Sequence, residues 1–236
     1  MKGSVLMDKM TIDMMTLERK GIFDKNHKKR FELTFTHKES IQKKSILVIG
    51  LNPASEDISI LDTTTTFILN NLIPMGYTTI TICNLYSELF KQRLKPAEVP
   101  NNTENRKYLE EVLKRKFDTI LLGYGNTFLT NKFVKEEKEF LRKLLSSYKD
   151  KVVDIVDDKG EYERLTTIHP LMAGRYFPNR WRLRPFIFED AGKKVNDKEF
   201  LKESTKKSKN VEEENTQNEE INTNQDSQPV VSAETD

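Results

Sequence analysis

Cysteine is almost missing from this 236-residue chain: Cys83 stands alone. One thiol cannot close an intrachain disulfide, and it leaves a cysteine-based zinc cluster without a second thiolate. The three histidines, His27, His37 and His169, are too few and too scattered to suggest a structural metal site, so no metal and no cofactor is expected. Long apolar runs are missing as well. No stretch approaches the roughly 20 residues of a membrane span. The opening "MKGSVLMDKMTIDMM" carries acids where a signal peptide would need a continuous apolar core. The expectation is a soluble, cytoplasmic protein with no membrane partner. No Gly-rich dinucleotide fingerprint and no phosphate-binding lysine loop occurs, and "GYGN" at 123–126 is too short to count as either.

What is present suits one ordinary globular domain with a solvated remainder: 36% hydrophobic and 32% charged residues, net charge +2. The small net charge hides an asymmetry. From Lys193 onward there are 7 Lys against 11 Asp plus Glu, so the tail carries −4 and the body +6. A mildly basic body is compatible with a phosphate-bearing ligand without demanding one. The end of the tail, "KKSKNVEEENTQNEEINTNQDSQPVVSAETD", has no aromatic and few large apolar residues. It cannot bury enough surface to offset its ordering entropy, so residues 193–236 read as a disordered acidic tail. Such a tail is either a passive appendage or a segment that binds a protein partner.

Residues 29–192 read as a single α/β domain behind an N-terminal extension, 1–28. "SILVIG" (45–50) is a continuous apolar run of strand length, as expected of a strand buried on both faces. "TTTTFILNNLIPMG" follows with helix-spaced apolar residues, and Asp62 or Thr63 is placed to cap it. "TTITICNLY" (78–86) is a second strand and "NNTENRKYLEEVLKRK" (101–116) an amphipathic helix. "FDTILLGYG" (117–125) is a third strand and "KFVKEEKEFLRKLLSSY" (132–148) another helix. "KVVDIVD" (151–157) and "YERLTTIHP" (162–170) read as short strands, and "RFELTFTH" (30–37) as an added edge strand or cap. Strand–helix alternation implies right-handed crossovers and a mostly parallel sheet of four or five strands, helix-covered on both faces: a three-layer α/β/α sandwich.

In such a sheet ligands bind outside the carboxyl ends of the strands. The residues just after each strand are therefore the informative ones: Gly50, Asn52 and Pro53; Asn84 and Tyr86; Gly125 and Asn126; His169 and Pro170. Asp62 and Thr63 follow the first loop. Asn52 offers an acceptor and two donors at one point, with Pro53 stiffening the loop behind it. It could read a heterocycle edge or hold a water, or simply cap its own turn. His169 could hydrogen-bond a ligand carbonyl or offset developing negative charge, or be a packing histidine. Asp62 could orient a water or serve only as a helix N-cap. In "AGRYFPNRWRLRPF" (173–186), Arg175, Arg180, Arg182 and Arg184 interleave with Tyr176, Phe177, Trp181 and Phe186. Arginine among aromatics suits gripping nucleotides by phosphate pairing and stacking. It equally suits a closing segment whose aromatics return to the core.

The ordered set "RFEL", "LNPAS", "LDTTT", "GYTTITICNLY", "LLGYGN" and "HPL" followed by Trp181 resembles the bacterial and phage domain-of-unknown-function family 1643, over roughly residues 30–186. A more distant likeness is to the uracil-DNA glycosylase superfamily, through "GLNP" at Gly50 to Pro53 and "HPL" at His169 to Leu171. That likeness implies a three-layer α/β fold in which Asn52 positions the hydrolytic water and His169 stabilises the departing base. Ala54 stands where that superfamily usually has Gly, and Leu171 where it usually has Ser. Tyr86 or Phe67 would take the place of its base-stacking aromatic. The implied activity is hydrolysis of an N-glycosidic bond in DNA or a nucleotide, with Asp62 assisting at the water and Arg175, Arg180 and Arg182 meeting phosphates. The alternative is a nucleic-acid or nucleotide binding or sensor protein without turnover, of the kind used in phage or mobile-element conflict.

Overall fold

The computed structural model describes residues 14–89 and 102–188. The tail 193–236 lies outside the described residues. Among them are seven strands and four α-helices: β1 (Leu17–Phe23), β2 (Arg30–His37), β3 (Lys44–Gly50), α1 (Thr63–Leu72), β4 (Tyr77–Asn84), α2 (Thr103–Leu113), β5 (Thr119–Leu122), α3 (Lys132–Leu145), β6 (Val152–Asp157), α4 (Pro170–Tyr176) and β7 (Trp181–Pro185). The strands form one sheet in the order β1-β2-β4-β3-β5-β6-β7.

The apolar run of β3 sits at the centre of this order, and Ile46, Leu47, Val48 and Ile49 are all fully buried. Period-two alternation sends Leu47 and Ile49 into a core shared with Leu109, Val112 and Leu113 of α2 and Val134, Leu141 and Leu145 of α3. Val48 points the other way, toward Ile68 of α1 and Ile82. The helices have local reasons to start where they do. Asp62 accepts the Thr65 N–H at 3.0 Å and so caps α1. Asn131 caps α3 by accepting from the amides of Phe133 and Val134, while Arg142 and Lys143 face the negative end of its dipole.

Three expectations are corrected. The sheet is mixed rather than mostly parallel, and has seven strands rather than four or five. Its centre, β4-β3-β5-β6, is parallel, but β1–β2, β2–β4 and β6–β7 are antiparallel and hold the larger share of paired residues. Parallel neighbours need a crossover of a dozen or more residues, which the short link 24–29 between β1 and β2 cannot supply, whereas β2–β4 and β6–β7 are antiparallel although long stretches separate them. Both sheet margins are antiparallel. Second, "RFELTFTH" is not an edge strand: β2 is paired on both sides, and the edge is β1, inside residues 1–28.

Third, residues 162–170 form no strand. The Asp157 carboxylate accepts from the amides of Lys159, Glu161 and Tyr162 and winds the chain into turns. Thr167 then adopts a left-handed conformation, φ 51°. Its amide donates to Asp154 at 3.1 Å, and Arg184 of β7 clamps the same carboxylate at 2.8 and 3.2 Å while donating to the Leu165 carbonyl. Side-chain acceptors have replaced a sheet ladder. The actual seventh strand, "WRLRP", runs back along β6, and its arginines masked its strand character.

Asp154 is 1% exposed, so its loss strands a guanidinium and a buried amide together. Asp154→Ala is expected to lower stability by about 2–4 kcal/mol, toward the lower end for one partner of a buried pair because Arg184 is part-exposed. The check is a urea titration, in which the midpoint should fall with the slope unchanged.

Candidate functional site

The parallel ladder of β3 and β4 ends on the rung Gly50↔Asn84. The chain stays paired past it: Leu85 N–H donates to the Gly50 carbonyl at 2.9 Å and Tyr86 N–H to the Leu51 carbonyl at 3.0 Å. At Gly50 a Cβ would lie 2.6 Å from the Asn84 Oδ1, so no larger residue fits without displacing that amide. The exit of β4 is held from below by buried amides. Asn105 donates to the carbonyls of Asn84 and Leu85, and Asn102 donates to the Leu85 carbonyl and to Glu137, itself clamped by Arg106 at 2.7 and 3.0 Å.

His169 reaches the same rim from more than a hundred residues downstream. A residue before proline is kept out of helical backbone, so His169 becomes the N-cap of α4, with Pro170 at the first helical position. Its Nδ1 accepts the Leu171 N–H at 3.2 Å. The neutral ring therefore carries its proton on Nε2, a donor. Burial lowers the pKa of His169, with Asp62 pulling the other way, and the neutral form is favoured. Gly125, at φ 74°, lets the loop after β5 pass beneath it; a Cβ there would lie 2.9 Å from the His169 Cβ. Asn126 donates to the Thr166 carbonyl and accepts from the Thr167 hydroxyl, fixing the loop that delivers the histidine.

Between these elements lies a cavity of about 200 Å³. Gly50, Asn52, Asp62, Asn84 and His169 line it together, at the carboxyl ends of parallel strands. Val48, Ile68 and Ile82 supply an apolar wall. Asn52 Nδ2 donates to the Pro53 carbonyl at 3.1 Å, which leaves its Oδ1 as an acceptor that no donor among the described residues occupies. Asp62 is more committed: beyond the Thr65 amide it accepts the Thr65 hydroxyl at 2.7 Å.

Other candidates fall elsewhere. Pro53 is buried behind Asn52, and Thr63 is exposed at the first turn of α1, where Thr64 and Thr65 line the cavity instead. Tyr86 is 2% exposed in the core against α2 and α3, and burial raises its pKa. Phe67 packs over Gly174 between α1 and α4. In the arginine–aromatic segment Phe177 and Trp181 are core residues, Tyr176 stacks on Tyr162, and Arg180 pairs with Asp158 at 3.3 Å. Arg175 and Arg182 are exposed.

Sequence reasoning passed over Arg30. It opens β2, is 3% exposed, and lines the cavity. Its Nη1 donates to the Ser55 carbonyl at 2.8 Å, and its Nε has no partner. The usable signal was a charged residue opening a strand that is otherwise apolar on alternate positions.

The fold and site thus define an α/β protein with a donor-rich cavity at the carboxyl edge of its central parallel strands. The chain belongs to the family described as Protein of unknown function (DUF1643), whose model matches residues 30–171. No curated protein and no solved structure matches it. Among the described residues no cluster of His, Cys, Asp and Glu is placed to hold a metal ion, and no helix is long and apolar enough to cross a membrane.

The lowered pKa of His169 sets a pH dependence. Between its folded value and the ordinary value of 6.5 the unfolded chain binds more protons, so stability falls as pH drops below about 6.5 and is level above it. Urea midpoints measured from about pH 7.5 to about pH 5 should show this slope, and His169→Gln should flatten it.

Proposed function

We propose that the cavity receives a nucleobase and that the protein hydrolyses the N-glycosidic bond of a nucleotide or of DNA. The observation that carries the reading is the meeting of Asn52, at the exit of β3, and His169, at the start of α4, far apart in sequence, across one cavity with Asp62 in its wall. A volume of about 200 Å³ is below the roughly 300–1,000 Å³ of sites for drug-sized ligands, which suits a single planar ring with sugar and phosphate left outside. The three-layer, uracil-DNA-glycosylase-like architecture inferred from "GLNP" and "HPL" belongs to the same proposal.

In this mechanism the Asn52 Oδ1 accepts a hydrogen bond from a water and aims its oxygen at the anomeric carbon. The carbon–nitrogen bond breaks with its electron pair going to the ring. His169, donating through Nε2, stabilises the anion that forms, as a preorganised donor does for any developing oxyanion or ring anion. The proton shed by the water passes to Asp62 and from there to the departing base or solvent. On duplex DNA the base would have to be extruded first. The exposed Arg175 and Arg182, with Arg180, would meet the phosphates.

A second reading, binding without turnover, is favoured by one observation: both oxygens of Asp62 already accept from Thr65, which weakens it as a base. A sensor or adaptor would need the cavity and not the water.

The two separate cleanly. Oligonucleotides carrying uracil, mismatched or modified bases are incubated with the protein and free base is quantified. Hydrolysis predicts base release that Asn52→Ala lowers about 100-fold or more. Binding alone predicts a retarded complex with no product, weakened by the same substitution. Neither product nor complex would defeat both readings. Replacing Arg175, Arg180 and Arg182 together by alanine should weaken DNA binding uniformly across sequences and make its salt dependence shallower.

A further inference from the structure

Residues of the cavity wall carry buried donors that meet no acceptor. Arg30 is the clearest case. A guanidinium 3% exposed would ordinarily be paired with a carboxylate, yet no acid lies within ion-pair distance of Arg30 among the described residues, and its Nε–H meets nothing. Asn84 repeats the pattern. It is 4% exposed, its Oδ1 is turned toward Gly50, and its Nδ2 is buried without a partner. His169 adds the Nε2 donor derived above, and the first turn of α1 brings Thr64 and Thr65, at the positive end of a helix dipole, to the same wall.

Charges of both signs face this group. Asp62, in the same wall, attracts Arg30 from beyond ion-pair distance, and its oxygens accept from the neutral donors of Thr65, which leave its charge in place. Arg19, which donates to the Ile60 carbonyl, adds positive charge from β1. Burial brings the Arg30 pKa down to about 10, so the group is still charged at neutral pH. A buried cation and a buried amide donor left open in one cavity are costly unless something negative completes them.

We propose that the ligand of this cavity is an anion: a small molecule whose oxyanion group is held by Arg30 and Asn84 while a flat apolar portion rests on Val48, Ile68 and Ile82. The proposal rests on the reading of the cavity as a ring-binding site and is independent of bond cleavage. Its chemical class is a planar ring bearing a carboxylate or phosphoryl group, in preference to an uncharged base. Arg30 and Asn84 are then the residues that select charge, and Asn52 and His169 those that read the ring.

The test is calorimetric titration and thermal shift of the full chain with four probes: orotate, a pyrimidine carboxylate; uracil, its uncharged parent; benzoate; and inorganic phosphate. Orotate is expected to bind at least about tenfold more tightly than uracil. Arg30→Met should remove that preference while keeping or raising the melting temperature of the free protein, because an unpaired buried charge has been deleted. A merely structural arginine would give the opposite stability result. If Arg30→Met does not fold, Asn84→Ala and Arg30→Gln carry the same affinity readout. Benzoate binding with no response to phosphate assigns the carboxylate source, and phosphate binding lost in Arg30→Met assigns the phosphoryl source. Uracil bound as tightly as orotate, or a preference for orotate that survives in the variants, overturns the proposal and leaves the base-binding reading standing. Anions bound with no affinity for any uncharged base would do the reverse, supporting the anion site and defeating the base-binding reading. No response to any probe removes both.

Discussion

The structure depends on the last rung of one parallel ladder. Gly50 and Asn84 face each other where β3 and β4 end, at a separation that only a hydrogen on Gly50 allows. Because the backbones remain bonded for two further residues, the chain leaving β3 cannot turn until Asn52 is over the rim. Pro53 then fixes the direction of the exit. The same rung holds the Asn84 amide in place, and the buried network of Asn102, Asn105, Arg106 and Glu137 keeps that exit from relaxing. Hydrogen bonds in a low-dielectric interior are strong, and Asn102 and Asn105 spend their amide donors on this exit, while the Asn102 Oδ1 stays unpartnered.

The cavity shows the contrast between satisfied and open polar groups. Asp154, Glu137 and Asp157 are buried acids with several donors each, and they organise loops. Arg30 and Asn84 are as deeply buried and have open donors. Desolvation lowers the pKa of both His169 and Arg30, but His169 is driven toward its neutral form while Arg30 keeps its charge. The site therefore combines a neutral donor, a charged donor and an uncommitted amide oxygen on Asn52. That set is suited to a flat molecule with several acceptors, and ill suited to an apolar one.

The central strands and all three longer helices were legible because each carries its pattern openly: apolar runs in β3 and β5, Val- and Ile-rich short segments in β4 and β6, and 3.6-residue spacing in α1, α2 and α3. The margins were not. β1 "LERKGIF" and β7 "WRLRP" carry charges on residues that face solvent or pair with Asp154, so their alternation is hidden. "YERLTTIHP" has strand-like composition, but the acceptors Asp154 and Asp157 outcompete a ladder. In the site, strand exits led to Gly50, Asn52 and Asn84 and the helix start to Asp62, while His169 was reached through a strand, 162–170, that does not form. Arg30 was missed because that residue enters from an antiparallel neighbour, whose start lies beside the carboxyl end of β4.

The sequence by itself determined that this is an α/β chain built around a buried Ile-Leu-Val strand with an amide-proline exit. These are consequences of local sterics and periodicity, which act over a few residues. Only the tertiary structure decided that the sheet is mixed, that Tyr86 faces the core, and that Arg30 shares a cavity with Asn84 and His169. Those facts follow from which strands pair and in which direction, and pairing is settled by long-range burial and hydrogen-bond satisfaction that no short stretch of the chain contains.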